Sequence, residues 1–451
     1  MPQFCAMNRP PWRPLRHYFA TATAPRPSPS SLLQTLRDRQ LLQDCTSEES
    51  FLDSVADPRG AAYLGIDPTA PSLHLGHLVA LRLLMELRGA GLRTFVVLGG
   101  VTASIGDPTG RSIGRSTLEL DAAAANAQRM RAQLQRLLGR CAGEVELLDN
   151  SAWLGQLTVP SLLHEVGRFA KVKAMLGKET MKERLKSGLT FAEFAYPLMQ
   201  GYDWVHLARE HRCALQVGGS DQWGNITEGV EMVGRATGLA AVGVTCPLLV
   251  DGKGQKFGKS TGNALWADAA ATSSFELYQQ MRRLDAKTAG RLLRQLSQLD
   301  LAEIELLEAA QTAAPGKGAA SAALARDVVT WLHGSKAADV AVAATRALYQ
   351  SGSITGVSVD ELAGIMRDSG APVVALQRTE ALGHLLVDLA AQSGLCFSKS
   401  DAKRLQAAGG MYVNDRRVEE GEALQSDELA EGRALLLRAG KRKVCMLLLD
   451  A

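Results

Sequence analysis

The chain of 451 residues predicts an α/β protein: a domain built on a parallel sheet, then an all-helical domain, then a small α+β domain. Three observations carry this. Between residues 60 and 240, short apolar runs ending in Gly or Asp-Pro turns alternate with helical stretches. That order implies a right-handed, Rossmann-like parallel crossover. After about Ala271 the composition turns Ala/Leu-rich with helical spacing, and the last eighty or so residues return to a short helix and alternating strands.

Leu32 to about Pro58 has a polar-rich helical pattern, and Ala61 to Gly65 reads as a short buried strand ended by Asp67-Pro68. Leu75 to Arg88 predicts an amphipathic helix with Leu75, Leu78, Leu81 or Leu83 and Met85 on its apolar side; Gly89 and Gly91 stop it. Arg93 to Leu98 is the next strand, ending in Gly99-Gly100. Helices from about Leu118 to Leu138, a strand near Val145 to Leu148 and a helix from about Val159 to Phe169 follow. The strand Ala214 to Val217 runs into Gly218-Gly219, and a helix covers Asp221 to Thr237. Phe275 to Leu307 and Ala319 to Leu348 are helical, separated by Ala314 to Gly318. Gly352 to Ala375 is turn-rich with one short helix; then come a helix at Lys399 to Ala408 and strands at Met411 to Val413 and Val444 to Leu449. Domain boundaries are expected near residues 31, 270 and 370.

The net charge is only +3, so nucleic-acid binding would need local patches, and no apolar run reaches the length of a membrane span. Seven scattered Cys without a Cys-x-x-Cys pair argue against a zinc site or disulfide framework and for a reducing compartment. The first thirty residues hold Arg9, Arg13, Arg16 and Arg26, several Ser and Thr and seven Pro, with no acidic residue before Asp38. This describes an organelle transit peptide over residues 1–31, with Arg16 to Ala20 resembling a matrix-processing site. A disordered basic tail is the alternative. A mitochondrial matrix address is favoured over a plastid one.

His74-Leu75-Gly76-His77 opens the helix that follows the first strand. A helix N-terminus offers amides without helical partners and a partial positive charge, both suited to nucleotide phosphates. Each imidazole can also donate a hydrogen bond. Alone such a match is weak, and four downstream signals join it. In Gly106 to Arg111, Asp107 sits in a tight turn at a strand's carboxyl end, able to hold an ammonium group, with Arg111 and Arg115 behind; the bland alternative is an ordinary Asp-Pro turn. Tyr196, Gln200 and Asp203 fall on one helical face, costly within an apolar helix unless they meet a ligand or partner. Gln216 to Trp223 includes Gly218-Gly219, which permits close backbone approach, and Asp221, which can take ribose hydroxyls. Asp251 to Gly262 spaces its lysines by three among four Gly, making either a cationic loop that closes over polyphosphate or a solvated hairpin.

Together, in this order, these segments resemble a tyrosyl-tRNA synthetase of the bacterial and organellar type, a class I enzyme. His74 to His77 and Lys256-Phe257-Gly258-Lys259-Ser260 are similar to the two signatures of the class. Tyr63 to Ala70, Gly106 to Gly110, Tyr196 to Asp203 and Gln216 to Asn225 resemble its tyrosine-specific members. The resemblance runs from about Leu32 to the C-terminus. Leu75 replaces Ile in the first signature, Leu64 stands where a small residue is frequent, and Ala80 lacks a frequent hydroxyl.

The resemblance implies that tyrosine's phenol meets Tyr63 and Asp203, its ammonium Tyr196, Gln200 and Asp107, and its carboxylate Gln222. ATP, a substrate arriving with Mg²⁺, would be held by Gly65, Asp67, Thr69, His74, Gly76, His77, Gly219, Asp221, Lys259 and Ser260. Catalysis would fall to Thr69, His74, His77, Lys256 and Lys259, with no tightly bound metal or organic cofactor. For tRNA(Tyr), Arg168 to Lys186 carries seven basic residues against two acidic ones. Lys171 and Lys173 there would contact the acceptor stem, or that segment is simply a solvated face. Ser398 to Asn414 resembles the small alpha-L RNA-binding fold, with Lys403 and Arg404 as tRNA contacts and Lys441 to Lys443 adding charge. The family also implies a homodimer and no membrane partner. Rival readings are a tryptophanyl enzyme, which Tyr63 with Asp203 disfavours; a small nucleotidyltransferase, which would not need the lysine loop; and a non-catalytic RNA-binding protein assisting intron folding.

Overall fold

The computed structural model describes residues 26–109, 120–139, 145–250, 265–350, 354–440 and 443–450. The chain packs as two compact units. One comprises the residues through Thr272 together with Arg283–Leu324; the other comprises Ser273–Arg282 and Ala325 onward.

The first unit holds a six-stranded sheet. Its strands are β1 (Asp44–Cys45), β2 (Ala61–Ile66), β3 (Arg93–Leu98), β4 (Glu146–Asp149), β5 (Cys213–Gly219) and β6 (Val242–Cys246), in the order β1-β6-β5-β2-β3-β4. All neighbours pair parallel except the edge strand β1. β2, β3, β5 and β6 are buried along almost their whole length, without in-and-out alternation, because both faces are covered. From β2 the chain runs to β3 and β4 on one side, then to β5 on the other. Strand order therefore reverses between β2 and β5, the place where such sheets open a ligand crevice at their carboxyl ends. β1 and β6 were not expected from the sequence. A two-residue edge strand is too short to show a period, and β6 lacks the alternation that marks a half-exposed strand.

The helix Leu75–Gly89 departs from expectation. Leu78, Val79, Ala80, Leu81, Leu83, Leu84, Met85 and Leu87 are all buried, so apolar side chains surround it instead of forming a stripe. It lies against the sheet on one side and against the helices Pro29–Asp38 and Ala286–Leu296 on the other. Arg82, buried on this helix, pairs with Glu86 at 2.6 Å and donates to the Ser297 carbonyl at 3.3 Å. The buried Arg39 donates to the carbonyls of Arg294 and Ser297 at 3.3 Å and of Leu299 at 2.7 Å. These charge-assisted bonds hold residues 283–324 to the sheet unit, although their Ala/Leu-rich composition matches the helices beyond.

The second unit is a five-stranded sheet with helices on both faces. Its strands are β7 (Val373–Gln377), β8 (Met411–Val413), β9 (Arg416–Arg417), β10 (Ala434–Ala439) and β11 (Lys443–Asp450), in the order β7-β11-β10-β8-β9. Leu436 and Met446 face Phe275, Ala344, Leu362 and Met366, whereas Leu435, Leu437, Cys445 and Leu447 face Leu386, Leu389 and Ala402. β10 escaped the sequence because Ala-Leu-Leu-Leu is a good helix former and both its faces are buried.

Candidate active site

A cavity of about 420 Å³ opens at the switch point between β2 and β5. Every described residue expected at the amino-acid and nucleotide sites lines it: Tyr63, Gly65, Asp67, Thr69, His74, Gly76, His77, Asp107, Tyr196, Gln200, Asp203, Gly219, Asp221 and Gln222. Lys256, Lys259 and Ser260 lie outside the described residues, as do Arg111, Arg115, Lys441, Arg442 and the first 25 residues.

Tyr63 enters from β2. Its ring is 1% exposed and meets Trp204 edge-on at 6.0 Å between centroids. Its hydroxyl is buried and has no hydrogen-bond partner. Asp203 enters from the helix Phe191–His211, accepting from Trp153 Nε1 at 2.7 Å and Asn150 Nδ2 at 3.1 Å. Burial pushes its carboxyl up to about 7 despite these two bonds, which act to lower it. Burial likewise holds the Tyr63 phenol neutral well above its usual range, with Asp203 adding to the effect. Gln216 on β5 also lines the cavity, and its Oε1 is buried without a partner. Buried polar atoms left unpaired are rare in folded proteins and mark places where a ligand's polar groups belong.

Two turns earlier on the same helix, the Tyr196 hydroxyl donates to Asp67 Oδ2 at 2.7 Å. Burial, with Asp67 and Asp107 nearby, keeps this phenol neutral too. Asp67 Oδ1 accepts from Thr102 Oγ1 at 2.7 Å. Asp107 is heavily engaged: it accepts from the Thr109 amide at 3.0 Å, Thr109 Oγ1 at 2.5 Å, Gln222 Nε2 at 2.6 Å and Asn225 Nδ2 at 3.3 Å. Asn225 also donates to Gln200 Oε1 at 3.0 Å, joining Gln200, Gln222 and Asp107 in one network. Asn150, Trp153 and Thr102 lie outside the signature segments, and Thr109 and Asn225 lie within them without having been singled out. Asn150 directly follows β4, and its place at a strand's carboxyl end was the one available hint.

His74 caps the helix Leu75–Gly89. Its Nδ1 accepts from the Gly76 amide at 3.1 Å, and His77 Nδ1 accepts from the His74 amide at 3.1 Å, with the rings stacked 3.8 Å apart. An amide can only donate, so each neutral ring must carry its proton on Nε2. This corrects one expectation. The helix does not present unpaired amides, since Leu75 N–H goes to the Leu265 carbonyl at 3.3 Å, Gly76 N–H to His74 Nδ1, and His77 N–H to the His74 carbonyl at 2.9 Å. Both imidazoles line the cavity, and Nε2–H is the donor each ring has to offer. Gly76 is needed because a Cβ there would stand 2.9 Å from His74 Cε1. At Gly65 no atom lies within 4 Å of where a Cβ would stand, so any side chain would enter the cavity itself.

The expected tRNA contacts lie elsewhere. Lys171 and Lys173 are exposed at the N-cap and in the first turn of the helix Val172–Gly177, but Arg184 is buried against Glu193 at 2.7 Å and Lys178 pairs with Glu228 at 2.8 Å. Lys403 and Arg404 are exposed on the helix Lys399–Ala407 of the second unit.

The family described as tRNA synthetases class I (W and Y) matches residues 57–350. A tyrosine–tRNA ligase of Roseiflexus castenholzii is 37% identical over 418 residues, covering 92% of this chain and 98% of its own. One from Streptococcus mutans is 36% identical over 420 residues, covering 92% and 99%. Among solved structures, the truncated mitochondrial tyrosyl-tRNA synthetase of Aspergillus nidulans superposes with a TM-score of 0.64 at 33% identity, over 70% of this chain and 94% of that one. That of Coccidioides posadasii gives 0.62 at 30%, over 69% and 90%. By these matches and by a cavity lined with both signature histidines and the tyrosine-type residues, the chain belongs to the tyrosine–tRNA ligases, within the class I tRNA synthetases.

Proposed function

We propose that both half-reactions of a tyrosine–tRNA ligase run in this cavity, with roles for its residues as follows. The enzyme activates L-tyrosine with ATP to tyrosyl-adenylate and pyrophosphate, then passes tyrosine to the 3′ end of tRNA(Tyr). The observation that carries the assignment is the buried Tyr63 hydroxyl without a partner, in a cavity that Asp203 also lines. A phenol serves both groups, donating to the carboxylate and accepting from Tyr63, whereas phenylalanine leaves the buried Tyr63 hydroxyl unpaired and offers the Asp203 carboxylate no donor. Tyrosyl-tRNA synthetases are themselves the standing example of this rule.

The substrate ammonium would sit among Tyr196, Gln200 and Asp107. Gln222 Nε2, now 2.6 Å from Asp107, would swing to the substrate carboxylate as the ammonium replaces it. That carboxylate is ionised at pH 7 and attacks the α-phosphorus of ATP without a general base. Alignment and charge stabilisation then lower the barrier. His74 and His77 would donate through Nε2–H to phosphate and ribose, Thr69 would assist at phosphate, and Gly219 and Asp221 would take the ribose. Lys256, Lys259 and Ser260 would close on the pyrophosphate. Mg²⁺ enters as the counter-ion of ATP, where it neutralises triphosphate charge; among the described residues no cluster of three or more His, Cys, Asp or Glu could hold a metal.

The enzyme would act in the mitochondrial matrix as a homodimer, residues 1–31 serving as its leader. The domains would be 32–270 for catalysis, 271–370 for the anticodon region and 371–451 for RNA binding, with Lys171, Lys173, Lys403 and Arg404 touching tRNA. The matrix reading is supported by the acid-free N-terminal sequence and by likeness to two mitochondrial enzymes. The dimer is supported by Val159, Leu163, Val172, Leu185 and Phe191, five large apolar side chains more than half exposed within one stretch of the catalytic unit. No helix among the described residues is long and apolar enough to cross a membrane. The deciding experiment is tyrosine-dependent exchange of pyrophosphate into ATP by the chain lacking residues 1–31, followed by charging of tRNA(Tyr). Exchange is expected with tyrosine and not phenylalanine; RNA binding without exchange would refute the assignment.

A further inference from the structure

We propose that Phe397 is a stacking platform for an unpaired RNA base, with the lysines around it receiving the flanking phosphates. The proposal rests on the reading that residues 371–451 bind RNA, and makes it specific. Phe397 is 92% exposed, the largest exposure of any large hydrophobic side chain described. Yet its backbone is held. Its N–H donates to Asp401 Oδ2 at 3.3 Å, and the Asp401 N–H donates to Ser398 Oγ, the N-cap of the helix Lys399–Ala407, at 3.1 Å. On the other side Cys396 is buried in the core of the unit. With the backbone fixed on both flanks, the ring projects into solvent and only its own rotamer freedom is left to lose on binding.

The surroundings name the ligand. Lys443, exposed at the start of β11, lies over the ring with its Nζ 4.8 Å from the centroid. Lys399 and Lys403 stand one helical turn apart on the adjacent helix. Lys399 pairs with Asp388 at 3.0 Å and Arg404 with Asp401 at 2.7 Å, while Lys403 has no acidic partner among the described residues. A planar aromatic face among cations suits a base with its phosphates: single-stranded RNA is read by stacking splayed bases on aromatic rings, and cations neutralise the backbone. A purely apolar protein partner would gain nothing from the charges. The contrast lies within the chain, where the apolar side chains at 159–191 come as a group and Phe397 stands alone among lysines.

The test measures binding of the full chain to a tRNA(Tyr) transcript across a salt series, for Phe397→Ala, Phe397→Leu, Phe397→Trp and a Lys403→Ala/Arg404→Ala double variant, with thermal unfolding to establish that each folds. Phe397→Ala and Phe397→Leu should weaken binding by roughly tenfold without changing the salt slope, and Phe397→Trp should retain it. Wild-type affinity in Phe397→Ala overturns the platform. Wild-type affinity in Phe397→Leu does so as well, by showing that apolarity and not stacking matters. If the double variant weakens binding and Phe397→Ala does not, RNA binding by this unit stands and the platform falls. If neither weakens it, both readings fall.

Discussion

Replacing Asp203 by Asn should make the enzyme worse at recognising tyrosine and more stable at alkaline pH. The carboxyl is buried, and desolvation raises it from an ordinary 3.8 to about 7. Between those values the folded state holds the proton more tightly than the unfolded chain. The stability this contributes is complete below about pH 4 and is lost as pH rises through 7. At about 1.36 kcal/mol per unit, the folded state at pH 8 carries a cost of up to about 4 kcal/mol for the ionised group. Asn cannot ionise and removes that cost. Its amide can accept from Trp153 or from Asn150 but not from both, so one buried donor loses its partner, at about 1–3 kcal/mol. Asp203→Asn should therefore be destabilised by about 0.5–2.5 kcal/mol at pH 4, where little of that cost is yet present, and stabilised by about 1–3 kcal/mol at pH 8. Urea unfolding at the two pH values reads the change of sign. In pyrophosphate exchange at pH 8 the variant loses a charge-assisted bond worth about 1.5–3 kcal/mol. Its KM for tyrosine should rise about 10- to 150-fold, and its preference over phenylalanine should fall in step. Equal destabilisation at both pH values would refute the burial-raised carboxyl, and an unchanged KM would refute its contact with the phenol.

Gly76→Ala drives a methyl to 2.9 Å from the His74 ring; adenylate formation should slow at least tenfold in a single-turnover assay, with tyrosine affinity retained. Asn225→Ala frees Gln200 and Gln222 from their shared partner, so the KM for tyrosine should rise about tenfold with a loss of about 1–2 kcal/mol in urea unfolding. Lys259→Ala should lower the rate of adenylate formation with a weaker effect on tyrosine binding; normal activation kinetics would remove Lys259 from the catalytic set. Arg184→Ala removes the ion pair from the buried Glu193, whose other oxygen keeps its bonds from Thr190, and should destabilise the fold by about 3 kcal/mol, read as a lower urea midpoint.

The separation between what could and could not be read from the chain has a physical basis. β2 and β3, the helix Phe191–His211 and the Gly-rich end of β5 were legible because local rules write them: apolar runs closed by turns, and polar residues repeated on one helical face. The signature segments named the residue types a nucleotide and a phenol require. The sequence could not show β10, whose Leu-rich run has no period, nor that the helix it marked at Leu75 to Arg88 is buried on nearly every side, because burial on all faces erases the alternation that reveals an element's orientation.

By itself, then, the sequence determined the chemistry on offer: two imidazoles, a phenol, a carboxylate and a lysine-rich segment, in the order of one enzyme family. Only tertiary structure decided how those groups are set. Asn150 and Trp153, fifty or more residues from Asp203, hold its carboxylate. Tyr63 is left without a partner, and the helix amides that might have met phosphate are consumed in aiming His74 and His77. Such facts depend on which strands lie next to β2 and on which side chains water cannot reach, and long-range packing alone sets both.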